Sequence, residues 1–146
     1  MADPVEVDKM VKELQDIEAI KKLKARYWRC IDKKLWGEME EIFTEDATLD
    51  YADQHLEGGK AIVQAIKKAL EDVATAHGGH SPEIEVTSDF TARGIWALQD
   101  YLVWEPGRKM VGFGHYEDEY VKVQGRWKKK SVRLTRTFEE WTMTKR

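Results

Sequence analysis

The chain has 146 residues, of which 42% are hydrophobic and 35% are charged, and its formal net charge is −3. A chain of this size is typical of one globular domain, which can bury a core without disulfides or metal. The mildly acidic, mixed charge argues against a nucleic-acid-binding protein, and the basic run at 128–130 is interpreted as a solvated strand face.

The cellular location is predicted from the cysteine content and from the N-terminal residues. Cys30 is the single cysteine, so no internal disulfide can form, which fits a reducing compartment. The first ten residues have neither a basic flank nor an apolar run, so no signal peptide is expected. No apolar stretch approaches the roughly 20 residues that span a bilayer. We therefore predict a cytoplasmic protein without membrane association.

The first half of the chain is predicted to be mainly helical. Apolar residues recur every three or four positions from Val11 to Ile31, which is the pattern of an amphipathic helix. The predicted elements are a frayed start, two helices, a strand and a third helix, at residues 1–8, 8–33, 35–43, 48–53 and 57–73. The third helix begins with a Gly-Gly pair in "EGGK", which is interpreted as a plain helix start because a phosphate-binding loop needs a longer frame.

After Val73 the composition changes to β-branched and aromatic residues, which favour strands. Four strands are predicted, at residues 80–88, 90–104, 108–123 and 126–141. The breaks between them, "SDF", "EPGR" and "VQGR", are short enough for hairpins. Helices followed by an antiparallel meander predict an α+β fold in a single domain over 1–146.

Alternation along the strands selects two charged candidates. Alternate strand residues share a face, and a charged residue on an apolar face is rare unless it is paired or functional. Asp100 lies between Leu98 and Leu102 on the apolar face of its strand, and Arg136 lies between Leu134 and Phe138 on the apolar face of the last predicted strand. The alternatives are a bulge that shifts the alternation at Asp100, and an arginine at 136 whose head reaches water.

The first helix offers two further candidates. Tyr27 lies in the apolar stripe and carries a hydroxyl that needs a partner if it is buried. Asp32 borders the stripe near the helix C-terminus, where a negative charge opposes the helix dipole. A surface aspartate beside Lys33 and Lys34 is the simpler interpretation of that position.

The motif "HGGH" at 77–80 contains two of the four histidines. A histidine oriented by an aspartate is the commonest general base. A metal site is disfavoured, because Gly78 and Gly79 break any helix and no further His or Cys cluster supplies a third ligand. The two glycines are expected to form a tight turn, with His80 structural. Glycines 112 and 114 are expected to mark strand curvature.

Several motifs occur in an order that resembles a known family. They are "DIEAIKKLKARYWRCIDKKLWGEMEEIFTEDATLDY" (16–51), "HGGHSPEIEV", "GIWALQDYL" and "GRWKKKSVRLTRTFEE". The chain resembles the SnoaL-like branch of the nuclear transport factor 2-like superfamily. Within it the chain is similar to bile acid 7α-dehydratases and, more distantly, to scytalone dehydratases. The resemblance implies a cone-shaped α+β fold whose strongly curved antiparallel sheet packs around the N-terminal helices and encloses a deep pocket.

The resemblance also implies roles for individual residues. His77 would be the catalytic base and Asp100 the aspartate that orients its ring. Tyr27 would donate to the substrate carbonyl, while Asp32 and Arg136 would position the network and assist the leaving group. Tyr51, Trp96 and His115 are candidates for substrate contacts.

The predicted function is elimination of water from a hydrophobic, polycyclic or steroid-like carbonyl compound by a cofactor-independent, metal-free dehydratase. The predicted partners are this small substrate and further copies of the chain, as a trimer or, alternatively, a dimer packed through the outer sheet face. The alternative functions are a ketosteroid-type double-bond isomerase and a non-catalytic binding or assembly module of the same fold.

Overall fold

One six-stranded sheet wraps around the helices in the computed structural model, which describes residues 1–144. The elements in chain order are α1 (Pro4–Asp32), α2 (Trp36–Glu40), β1 (Phe43–Tyr51), β2 (Gln54–Glu57), α3 (Gly59–Leu70), β3 (Ala74–Val86), β4 (Thr91–Trp104), β5 (Arg108–Val123) and β6 (Arg126–Met143). The predicted α+β class and the curved sheet are confirmed.

The strands lie in the order β2-β1-β6-β5-β4-β3, and β1 pairs parallel to β6 while every other neighbouring pair is antiparallel. Strands β3 to β6 form the predicted meander of hairpins. The four-residue strand β2 was not predicted, because "QHLE" is too short to show an alternating pattern. Together the strands form an open, curved sheet with an inner face that covers α1 and α3.

Helix α1 begins earlier than the pattern of apolar residues indicates. Asp3 caps it: its carboxylate accepts a hydrogen bond from the Glu6 backbone N–H, and the Glu6 side chain accepts one from the Asp3 N–H. Pro4 occupies the first turn, where its missing N–H costs nothing. The frayed start predicted for residues 1–8 is therefore wrong from Pro4 onward. Burial starts only at Asp16, so the first half of the helix is ordered by its cap and not by packing.

The predicted turn at "HGGH" is wrong. Strand β3 begins at Ala74 and runs straight through the motif, and neither glycine has a positive φ. Gly79 has a different purpose, because a Cβ there would overlap the ring of Trp28 on α1. The glycine lets the helix approach the strand closely, which also sets the distance between α1 and His77.

Two bulges in β6 change which side chains face the core. The pairing with β5 shifts between Glu119 and Tyr120 and again between Phe113 and Gly114. An extra residue in one strand turns the following side chains to the opposite face. Consequently Lys129, predicted to be solvated, is fully buried, and Phe138, predicted to be on the apolar inner face, is exposed.

The core lies between the helices and the inner sheet face. Its buried tyrosines and tryptophans come from α1, β4, β5 and β6: Tyr27, Trp28, Trp96, Tyr116, Tyr120 and Trp127. No helix among residues 1–144 is long and apolar enough to cross a membrane.

Candidate active site

A cavity of about 350 Å³ lies between α1, α3 and the inner face of the sheet. Its apolar walls are formed by Ile31, Leu49, Leu56, Ile66, Leu70, Leu102, Trp104, Met110, Val132, Leu134 and Trp141. Its polar groups are Tyr27, Tyr51, Gln54, His77, Asp100, Tyr116, Arg136 and Glu139. A largely apolar cavity of this size with a few converging polar groups has the form of a small-molecule site.

His77 projects from β3 into this cavity and is held by the end of α1. Its Nδ1 lies 2.7 Å from Asp32 Oδ1, and its backbone N–H donates to Asp32 Oδ2 at 2.9 Å. The Thr75 hydroxyl donates to Asp32 Oδ1 at 2.8 Å. Because an ionised carboxylate only accepts hydrogen bonds, Nδ1 carries the ring proton and Nε2 is left as a base.

The electrostatics of Asp32 favour this arrangement. Burial raises the pKa of the carboxyl, but the hydrogen bonds from the ring and the backbone N–H of His77 outweigh it, so that the pKa lies below its usual value. Asp32 therefore stays ionised at neutral pH. A surface aspartate, the simpler interpretation from its position in the helix, is not what the structure shows, because its side chain is only 25% exposed.

The orienting role predicted for Asp100 is therefore wrong. Asp100 lies on the other side of the ring, with Oδ2 at 3.8 Å from His77 Nε2. It makes a bidentate ion pair with Arg136, whose Nη1 and Nη2 donate to Oδ1 and Oδ2 at 2.8 and 2.7 Å. From this position the carboxylate can stabilise an imidazolium at residue 77 without fixing its tautomer. Asp100 and Arg136, which the alternating pattern selected separately, therefore form an ion pair with each other.

Gly112 makes the Asp100–Arg136 pair possible. This glycine lies on β5 opposite Asp100, and a Cβ at that position would collide with Arg136 Nη1 and Asp100 Oδ1. The sequence pattern predicts strand curvature at Gly112 and does not indicate this steric requirement. Burial acts to lower the pKa of the Arg136 guanidinium, but the hydrogen bonds to Asp100 and Tyr51 outweigh burial and raise this pKa above its ordinary value, so Arg136 remains a cation in the site.

Arg136 also binds Tyr51 at the cavity wall. Its Nε donates to the Tyr51 hydroxyl oxygen at 2.9 Å and lies 3.3 Å from Glu139 Oε1. Because this oxygen accepts from Arg136, the Tyr51 O–H can point toward a ligand. The predicted position of Tyr51 in the substrate site is consistent with this contact.

Two tyrosines form the wall nearest the core. Tyr27 on α1 and Tyr116 on β5 meet edge to face, with ring centroids 6.1 Å apart. Burial raises the pKa of both hydroxyls, and for Tyr27 the neighbouring Tyr116 and Asp118 add to the effect. Both hydroxyls therefore remain protonated and can donate a hydrogen bond to a negatively charged oxygen.

Two predicted substrate contacts are wrong. Trp96 is a core residue and does not line the cavity; its Nε1 donates to the Tyr120 hydroxyl at 3.0 Å. His115 is exposed and lies on the outer face, because its strand alternates and the neighbouring Tyr116 takes the inner face. His80 is also exposed.

Tyr116 and Thr75 are among the residues of the site that were missed from the sequence. Tyr116 shares the inner face of β5 with Met110 and Gly112, so strict alternation along that strand would have selected it. Thr75 carries no such signal, because its contact with Asp32 spans 43 residues of chain and depends on the approach of α1 to β3.

The histidine, the tyrosines and the carboxylates do not form a metal site. Within residues 1–144 no group of three or more His, Cys, Asp or Glu side chains is arranged to hold a metal ion. A larger depression on the outer sheet face is lined by charges such as Glu83, Arg93, Glu117 and Arg133. It lacks a histidine and lies on the face opposite the cavity.

Residues 12–133 match the SnoaL-like domain. The chain belongs to the SnoaL-like domain family. This confirms the family predicted from the motifs, while the closer similarity to bile acid 7α-dehydratases stays a prediction.

Solved structures share the fold of this SnoaL-like domain at low sequence identity. A proposed scytalone dehydratase from Novosphingobium aromaticivorans is 22% identical over 93% of each chain, with a TM-score of 0.86. A type 2 hexachlorocyclohexane dehydrochlorinase is 19% identical over 90% of this chain and 92% of that one, with a TM-score of 0.83. A type 3 hexachlorocyclohexane dehydrochlorinase from Novosphingobium barchaimii is 19% identical over 90% of this chain and 93% of that one, with a TM-score of 0.81. These likenesses show the fold alone.

Proposed function

We propose that this SnoaL-like protein is a lyase that eliminates water, or another small leaving group, from a hydrophobic, polycyclic or steroid-like carbonyl compound. The observation that carries the proposal is the His77–Asp32 pair, which opens on a largely apolar cavity beside two buried tyrosine donors. Dehydratases and dehydrochlorinases among the proteins of similar fold are consistent with it, since both names denote eliminations.

The first step removes a proton from the carbon next to the carbonyl. His77 Nε2 accepts this proton, and the electrons of the C–H bond move into the enolate, whose oxygen accepts hydrogen bonds from Tyr27 and Tyr116. Asp32 and Asp100 stabilise the imidazolium that forms, at 2.7 Å and 3.8 Å from its two nitrogens. A positioned general base of this kind contributes about 10²–10⁴-fold to the rate.

The second step expels the leaving group from the β-carbon. The enolate electrons form the carbon–carbon double bond while the carbon–oxygen bond breaks, and the proton held by His77 joins the departing hydroxide to give water. Arg136 and Tyr51 lie on the same wall and are placed to hold the leaving oxygen. Arg136 has five N–H donors, and the three used by Asp100 and Tyr51 leave two for a ligand.

The test is a panel of hydrophobic β-hydroxy ketones, including hydroxylated ketosteroids, with binding followed by tryptophan fluorescence and products by mass spectrometry. We expect a product lighter by one water from the wild-type protein and little from His77→Ala. A product of unchanged mass with a moved double bond would identify an isomerase instead. Saturable binding without product over hours would identify a binding module.

A further inference from the structure

A cluster of three charged side chains lies behind the tyrosine wall. Lys24 on α1, Asp118 on β5 and Lys129 on β6 each have side chains that are 0% exposed. Lys24 Nζ donates to Asp118 Oδ2 at 2.6 Å, and Lys129 Nζ lies 3.4 Å from the same oxygen. The Tyr120 hydroxyl donates to this oxygen as well, at 2.7 Å. None of the three charged residues lines the cavity.

The composition of the cluster is not that of a structural ion pair. One buried carboxylate needs one ammonium group, and burying a second costs desolvation without a second anion to offset it. Among residues 1–144, Lys129 Nζ makes no hydrogen bond. With all three groups ionised, the cluster carries one positive charge in excess, and burial lowers the pKa of both ammonium groups, that of Lys24 well below its ordinary value.

The two ammonium groups lie against the rings of the two cavity tyrosines. Lys129 Nζ lies 3.6 Å from the ring centroid of Tyr27, and Lys24 Nζ lies 3.6 Å from that of Tyr116. A cation on the face of an aromatic ring attracts its π electrons. Drawing electrons away from a phenol oxygen makes its O–H a stronger hydrogen-bond donor. The rings separate the cluster from the cavity, so they can carry this effect to a ligand that the ammonium groups never touch.

We propose that Lys24 and Lys129 are positioning residues that act through the rings of Tyr116 and Tyr27, and that they make the cavity selective for ligands with a negatively charged oxygen, such as an enolate or a phenolate. The inference rests on the proposed function only in assigning the tyrosines as donors. It extends that function by naming the charge state of the ligand that the site holds best.

The experiment compares an anionic with a neutral probe of nearly the same shape, para-nitrophenolate and nitrobenzene. Titration of para-nitrophenol with the protein, followed by its phenolate absorbance across pH, gives the pKa of the bound phenol. We expect the wild-type protein to lower this pKa and to bind the phenolate more tightly than nitrobenzene. Neither probe is turned over, so the result does not depend on whether the protein is a lyase.

Lys129→Met is the decisive variant. Methionine matches the length of the lysine stem, and Asp118 keeps its hydrogen bonds from Lys24 and Tyr120. We expect the affinity for the phenolate to fall about tenfold, which corresponds to about 1.4 kcal/mol and lies within the range of cation–π interactions, with the affinity for nitrobenzene unchanged. The melting temperature should be unchanged or higher, because an apolar side chain replaces a buried ion.

Two further variants separate this effect from a structural one. Lys122→Met removes a lysine that pairs with Asp16 at 2.7 Å and lies against the Trp127 ring, away from the cavity tyrosines. It should leave both affinities unchanged. In Tyr27→Phe the phenolate affinity should fall, and adding Lys129→Met should then have little further effect, because the hydroxyl through which it acts is gone.

The proposal is overturned if Lys129→Met weakens both probes equally, which would indicate a structural role. It is also overturned if the wild-type protein fails to favour the phenolate over nitrobenzene, or if the variant favours it as strongly as the wild type does. Should Lys129→Met fail to fold, Lys24→Met provides the same comparison for Tyr116.

Discussion

Replacing Asp32 with Asn should inactivate the site by reversing the tautomer of His77. In the wild-type protein, Asp32 Oδ2 accepts the His77 backbone N–H and Oδ1 faces Nδ1. An asparagine that still accepts the backbone N–H presents its NH₂ group to Nδ1. Nδ1 must then accept a hydrogen bond, the ring proton moves to Nε2, and the nitrogen facing the cavity can no longer take a proton from a ligand.

The expected loss of turnover is about 10²–10⁴-fold, the contribution of a positioned general base. The loss of stability should be smaller, about 1–3 kcal/mol for one charge-assisted hydrogen bond, since the Asp32 side chain is 25% exposed. Because the folded state lowers the pKa of Asp32, its stabilising effect is present above the ordinary value near 3.9 and is lost as the pH falls below it. The stability of wild type and variant should therefore converge in acid.

Asp100→Asn is the matched control at the second aspartate. It leaves the Asp32 contact intact but removes the charge that faces the buried Arg136 guanidinium, so the main effect should be about 3–5 kcal/mol of lost stability. Nitrogen-15 NMR of the histidine rings reports the tautomer directly, and denaturant unfolding reports stability. We expect Nδ1–H in the wild type and in Asp100→Asn, and Nε2–H in Asp32→Asn. A tautomer that changes in Asp100→Asn and not in Asp32→Asn would refute the assignment.

Three further predictions test the packing and the charges around the site. Gly112→Ala should separate the ion pair beside it and lower the unfolding free energy by up to about 3–5 kcal/mol, measured by denaturant unfolding. Gly79→Ala should cost about 1–3 kcal/mol because its methyl group overlaps Trp28, whereas Gly78→Ala, whose Cβ meets nothing closer than 3.7 Å, should fold as stably as the wild type; equal melting temperatures for the two would contradict the packing described. Burial lowers the pKa of Lys129 in the folded state, so this lysine is protonated to a greater extent in the unfolded chain. Its contribution to the free energy of unfolding therefore rises with pH up to about 10.4. Lys129→Met should therefore be at least as stable as the wild type at neutral pH, and any stability advantage of the variant should shrink in alkali; an advantage that grows with pH would contradict the lowered pKa of Lys129.

The sequence predicted the class of fold and most residue types of the site from local patterns. Helical spacing located α1, and alternation along β4 and β6 placed Asp100 and Arg136 on the inner face. These patterns are visible in the sequence because burying one face of a helix or strand favours apolar residues at every position on that face. The expected boundaries failed mainly where a cap or a close approach outweighed the pattern, as at Asp3 and at Gly79.

The pairing of charged groups was not predictable in the same way. Asp32 and Asp100 both lie within reach of His77, and their distances along the chain, 45 and 23 residues, give no preference between them. The choice depends on how closely α1 approaches β3. Likewise, Lys129 was assigned to the solvated face because nothing in "RWKKKS" marks the bulge that turns it inward. Contacts and bulges of this kind are properties of the assembled sheet.

Proton exchange at the carbon next to a carbonyl tests the central claim most directly. A ketosteroid without a leaving group is incubated with the protein in D₂O, and its mass is followed over time. We expect deuterium to enter the position next to the carbonyl with the wild-type protein and to enter at the background rate with His77→Ala, both proteins binding the ketone. Equal exchange in the two proteins, or saturable binding without exchange in the wild type, would contradict the assignment of His77 as the base.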